Sequence, residues 1–92
     1  MDNIIIGDKK VDGVFMLDKD TCVLSFETKQ AAPDEQVNTI VEYWKDEDTW
    51  HFVDEFFDND GNYTDAEEST RLTDEEKEEC KRIINDYIKS KQ

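Results

Sequence analysis

Thr39-Ile40-Val41-Glu42-Tyr43-Trp44-Lys45-Asp46-Glu47-Asp48-Thr49-Trp50-His51-Phe52-Val53 is the stretch on which the fold turns. Two runs rich in β-branched and aromatic residues flank the four-residue polar connector 45–48. That pattern predicts a β-hairpin, Thr39–Trp44 with Thr49–Val53. A helix competes for the first run, because Val37, Ile40, Val41 and Trp44 recur at i, i+3, i+4 and i+7 behind Pro33-Asp34-Glu35. In the hairpin reading Trp50, Phe52 and Phe56 share one face, and His51, Val53 and Phe57 share the other. Aromatic residues on both faces suit a central strand, or a sheet that a partner covers in part.

Upstream, Val14-Phe15-Met16-Leu17 and Cys22-Val23-Leu24-Ser25-Phe26 flank the polar turn Asp18-Lys19-Asp20-Thr21, a second hairpin pattern. Cys22, Leu24 and Phe26 alternate with Val23 and Ser25 and are expected in the core. Ile4-Ile5-Ile6 is a short β-branched run stopped by Gly7. Residues 29–33 read as a connector, since Pro33 cannot donate to a ladder. Downstream, residues 58–72 read as a loop. Thr73-Asp74-Glu75-Glu76 is a capping box, and Cys80, Ile83, Ile84, Tyr87 and Ile88 form one apolar stripe. A helix over 73–89 follows, with acids in its first turn and Lys89 and Lys91 at its end, matching the helix dipole.

The expected fold is therefore α+β: a small antiparallel sheet of four or five strands, with the C-terminal amphipathic helix packed on one face. The helix stripe should meet Cys22, Leu24, Phe26, Trp50 and Phe52. With 92 residues the chain is one small acidic domain, β-rich over 1–57, loop over 58–72 and helical over 73–89. Ten aromatic residues argue against disorder. Cys22 and Cys80, 58 positions apart, are no disulfide framework and read as small structural thiols.

The net charge is −14, from 25 acids against 11 bases. Residues 34–79 hold 18 of the acids and 3 of the bases, so the acidity belongs to the middle of the chain. Such a balance excludes direct binding to nucleic-acid backbones or anionic membranes. Met1–Gly7 has no basic region ahead of an apolar run, so no secretory leader is read there and a cytoplasmic protein is expected.

Motif chemistry is sparse. Aligning Gly61 with the sixth position of a calcium-binding EF-hand loop places Asp58, Asp60, Thr64 and Glu67 at ligand positions, but Phe56 at the first. The segment reads better as a polar turn than as a calcium module. His51 is the only histidine and has no second zinc ligand at motif spacing. Three glycines, at 7, 13 and 61, make no phosphate loop, and no nucleophile motif occurs. No enzyme activity, cofactor or metal is expected.

What the sequence offers is an acidic field. A domain of this size spans roughly 30 Å. Duplex DNA of that length presents on the order of 18 charges. In size and charge the chain resembles phage DNA-mimic inhibitors of the anti-restriction and anti-CRISPR kind. The resemblance implies a non-enzymatic inhibitor, monomeric or dimeric, on the basic surface of a nucleic-acid-processing enzyme. The expected contacts are Asp46, Glu47, Asp48, Asp54, Glu55, Asp58 and Asp60, with Trp44 and Trp50 as anchors. An immunity-type or antitoxin-like inhibitor of a basic toxin nuclease is the alternative.

Overall fold

Residues 39–53 form the hairpin that their alternation predicts. In the computed structural model, which describes residues 4–91, the elements in order are β1 (Ile5–Ile6), β2 (Lys9–Asp18), β3 (Thr21–Phe26), β4 (Lys29–Ala32), β5 (Glu35–Trp44), β6 (Thr49–Phe57), β7 (Tyr63–Glu68) and α1 (Asp74–Ser90). β5 and β6 pair without a register shift from Gln36 opposite Phe57 to Trp44 opposite Thr49. The helical alternative for 34–44 is excluded. Val37, Thr39 and Val41 are the buried residues of β5, a period of two and not 3.6.

Among the described residues the sheet has seven antiparallel strands and not four or five. Its order is β1-β2-β3-β5-β6-β7, with β4 also paired to β5 beyond the end of β3. Two segments read as irregular are strands. Residues 29–32, taken for a connector, ladder onto Glu35–Val37. Residues 63–68, taken for part of a loop, ladder onto Val53–Phe57. Neither buries a face, and all six residues of β7 are exposed, so neither carries the apolar alternation that marks a half-buried strand. Backbone pairing with an already formed neighbour holds them.

One face of the sheet carries the core. Cys22, Leu24 and Val41 are fully buried there, with Cys80 and Ile84 of the helix. Phe26, Val14, Val11, Ile6 and Leu72 complete the cluster, and Met16, Tyr43, Trp50, Phe52, Ile83, Tyr87 and Ile88 pack around it. The helix stripe thus meets the row expected of it. Lys77 and Lys81 extend the cover, their ammonium groups lying 5.2 Å from the Phe52 ring centroid and 5.8 Å from that of Trp50. Burial raises both thiols, that of Cys80 to about 12, where the charges of Glu76 and Glu79 add to the effect. Both cysteines are unbridged.

The helix start is fixed twice. Thr73 Oγ1 accepts from the Glu76 amide at 3.1 Å, and Glu76 Oε1 accepts from the Thr73 amide at 2.9 Å. Lys9 Nζ, on β2, lies 3.2 Å from both Glu76 carboxylate oxygens and ties the cap to the sheet. Gly7 turns the chain from β1 to β2 with φ of 65°, directly beneath that carboxylate, where a side chain would collide with it.

Two outcomes follow. Thr73→Ala should lower stability by about 0.5–2 kcal/mol in urea melts. Glu76 should also shape the acid limb of stability. The Thr73 amide holds its carboxyl below the ordinary value of 4.5, against partial burial and with help from Lys9. A depressed carboxyl stabilises the fold above its unfolded pKa, and that contribution fades as pH falls through the folded one. Melting temperatures taken between about pH 6 and pH 3 should therefore fall less steeply in Glu76→Gln than in wild type.

Candidate functional site

The acidic connector Lys45-Asp46-Glu47-Asp48 closes the β5–β6 hairpin beside the β2–β3 turn, to which it is tied by the Lys45 amide donating to Asp20 O at 2.8 Å. Asp18, Asp20, Asp46, Glu47 and Asp48 thus share one end of the sheet with Lys19 and Lys45. Asp48 is structural within this end. Its φ is 50°, a left-handed conformation that Asp tolerates better than most residues, and its Oδ1 accepts from the Tyr43 hydroxyl at 2.7 Å. That hydrogen bond pushes the Tyr43 phenol up. Asp46 and Glu47 are exposed beside it.

Asp58 and Asp60 lie at the other end of β6. The nine residues of that strand put the two turns roughly 30 Å apart, so they form two poles and not one cluster. Asp58 organises its own turn. Its Oδ1 accepts from the amides of Asp60 at 3.0 Å and Asn62 at 2.9 Å, and its Oδ2 from Asn62 Nδ2 at 3.2 Å. These bonds, the Asn62 amide first, hold the carboxyl below its usual range. Gly61 supplies the positive φ, 88°, that the turn needs. The turn is braced against β4, since Asn59 donates to Pro33 O at 2.9 Å and accepts from Gln30 at 3.2 Å.

Asp54 is not a contact residue. It is 1% exposed, on the helix-covered face of β6 directly opposite Thr39. Oδ1 accepts from Thr39 Oγ1 at 2.8 Å and Oδ2 from the Thr70 amide at 3.4 Å. The carboxylate therefore ties the returning chain after β7 to the β5–β6 ladder. Glu55, one residue on, has the opposite parity and reaches the other face.

The two tryptophans part in the same way. Trp50 stacks on Tyr43 with ring centroids 4.3 Å apart and lies under Lys81 on the helix side. Trp44 lies on the other face, its ring 4.2 Å from His51, its Nε1 donating to Glu42 at 3.0 Å. Only Trp44 stands with surface carboxylates.

Sequence reasoning missed Glu42, Asp65, Glu67 and Glu68, which connect the two poles. The 25 residues from Asp46 to Thr70 contain ten acids and neither Lys nor Arg, and all of the acids except Asp54 reach the surface. The bases lie elsewhere, on β2, β4, the turns and the helix. There Lys9, Lys81 and Arg82 are paired with Glu76, Glu78 and Glu79. The base-free run follows β6 and β7 along the sheet. Among the described residues no group of three His, Cys, Asp or Glu is placed to hold a metal ion. Comparison with protein-family models, with curated proteins and with solved structures returns no match.

Thr39→Val keeps the side-chain shape but strips Asp54 Oδ1 of its donor. It should destabilise the fold by about 1–3 kcal/mol in denaturant melts, the cost of an unsatisfied buried acceptor. Because the Asp58 oxygens already hold the turn, millimolar calcium should leave the melting temperature unchanged within a degree or so.

Proposed function

We propose that this protein is a non-enzymatic inhibitor that places its acidic β6–β7 side on the basic surface of a nucleic-acid-processing protein. The carrying observation is the base-free run from Asp46 to Thr70, laid out along a sheet in a molecule 42 × 25 × 24 Å in extent. Nine of its acids reach the surface between two turns about 30 Å apart. One strand of a DNA duplex carries a phosphate every ~3.4 Å, so about nine over the same distance. A channel lined with Arg and Lys to follow a phosphate backbone would meet carboxylates at comparable density here. The target is a protein, since a net charge of −14 repels nucleic acid and anionic lipid. An immunity-type inhibitor of a basic toxin nuclease would use the same surface. The proposed site of action is the cytoplasm. Among the described residues no helix is long and apolar enough to cross a membrane.

Capture from cell extract at low salt, with identification of what elutes as salt rises, supplies the target. Its affinity for the pure protein should then fall at least about tenfold between 50 and 200 mM salt, and duplex DNA should compete. Asp46→Lys with Glu47→Lys, or Asp60→Lys with Glu67→Lys, should each weaken binding at least about tenfold with the far-UV spectrum unchanged. Asp12→Lys, on β2, should change little. Binding that is indifferent to salt, to DNA and to both reversals would sink the reading.

A further inference from the structure

α1 covers one face of the sheet, and among the described residues nothing covers the other. By register that open face carries Val23, Glu42 and His51 in one row across β3, β5 and β6, and Ser25, Ile40 and Val53 in the next. Glu68 of β7 extends the second row. Trp44 lies beyond the first row at one end, and Phe57 at the other end of β6. Phe15 on β2 and Tyr63 on β7 flank it, 44% and 61% exposed. Val23, at 5%, is already sunk among its neighbours, so the surface has an apolar floor. Strand spacing and length make the patch roughly 20 by 27 Å, on the order of 500 Å² in projection.

We infer that this open face is where the target docks, and that the occupant is an apolar protein surface bearing arginine. The inference rests on the acidic-inhibitor reading and names the partner chemistry of that reading. Charge decides the occupant. On β5, β6 and β7 the face carries Glu42, Glu55 and Glu68 and no Lys or Arg. A second copy of the chain laid face to face would set these carboxylates against their own kind, a like-charge contact that disfavours the pairing. A basic surface would pair them. Arginine fits better than lysine, because its planar guanidinium stacks on aromatic rings while its fork engages a carboxylate. Trp44 supplies such a ring, held in place by His51 and by its own bond to Glu42. Among the described residues His51 Nε2 is buried without a hydrogen-bond partner.

The test uses the full ¹⁵N-labelled chain and two short peptides of equal length and charge, one of arginine, leucine and alanine patterned as an amphipathic helix, the other of arginine and serine. The first should shift the amides of Ile40, Glu42, Trp44, His51 and Val53, and bind at least tenfold more tightly than the second. In Trp50→Phe, where Trp44 is the sole indole, fluorescence should change on binding. In Trp44→Phe it should not. Glu55→Lys with Glu68→Lys should weaken the first peptide at least tenfold. The wild-type shift map stands without that variant should it fail to fold. Equal binding of both peptides, with shifts confined to residues 46–48 and 58–68, overturns the open-face assignment and leaves the acidic reading intact. Binding of neither at about 50 mM salt defeats both. Concentration-dependent dimerisation in sedimentation that protects the face makes the occupant a second copy and also overturns the inference.

Discussion

A single helix must close the core of a seven-stranded sheet, and most of the molecule follows from that shortage. Seventeen residues of helix are about 25 Å long and about 10 Å wide, less than the face they lie on. Under the helix, full burial is accordingly confined to a narrow seam, Cys22, Leu24 and Val41 against Cys80 and Ile84, while Val37 and Asp54 are buried farther along β5 and β6. Outside the seam, cover comes from unusual sources. Lysine stems reach over Phe52 and Trp50, and the segment after β7 brings in Leu72. The position of the helix therefore matters more than its intrinsic stability. Glu76 fixes it by serving the cap and Lys9 with one carboxylate.

The same economy explains a buried acid in an apolar-poor protein. Asp54 sits on the core face where a Val or Leu would have served packing, yet it joins Thr39 to the Thr70 amide. Through Thr70, the last residue of the base-free run, it holds the chain where it turns back toward the helix. Beyond it, the charges are sorted: bases pair with acids along the helix and on β2, while β6 and β7 keep acids alone. Unpaired like charges along one side work against compactness. The fold accepts that repulsion along β6 and β7, where acids stand without bases between them.

Elements with a buried face were legible in the sequence, and elements without one were not. The β5–β6 hairpin, the Cys22-Leu24-Phe26 row and the Thr73 capping box each announce themselves by alternation or by a capping pattern. β4 and β7 rest on ladder hydrogen bonds, which leave no mark on side-chain choice. Composition could not separate Asp54 from its exposed neighbours. The signal lay in parity, since Asp54 falls on the same face as Trp50, Phe52 and Phe56. Parity also divides Trp44 from Trp50, but only once the length of the intervening turn fixes the register. The acids of the candidate surface were visible as an excess. Their layout, two poles joined along β6 and β7, depends on β7 and so was not.

The borders of the sheet have a consequence for how copies of the chain behave when crowded together. A long, flat, apolar margin invites strand addition from one molecule to the next, and from there fibre growth. Here one margin is formed by β1, which covers only Lys9 and Lys10, and by the outer edge of β2 from Asp12 to Asp18, where Phe15 and Leu17 are exposed. The other, β7, sets Asp65, Glu67 and Glu68 along a fully exposed ladder edge. A copy docking there antiparallel or in parallel would bring carboxylates against carboxylates. The β7 margin is thus guarded against strand addition by charge and not by cover, whereas the β2 margin has only Asp12 and Asp18 at its two ends. Such a guard is a matter of charge alone, so added salt thins it while leaving the strand pairing beneath it untouched.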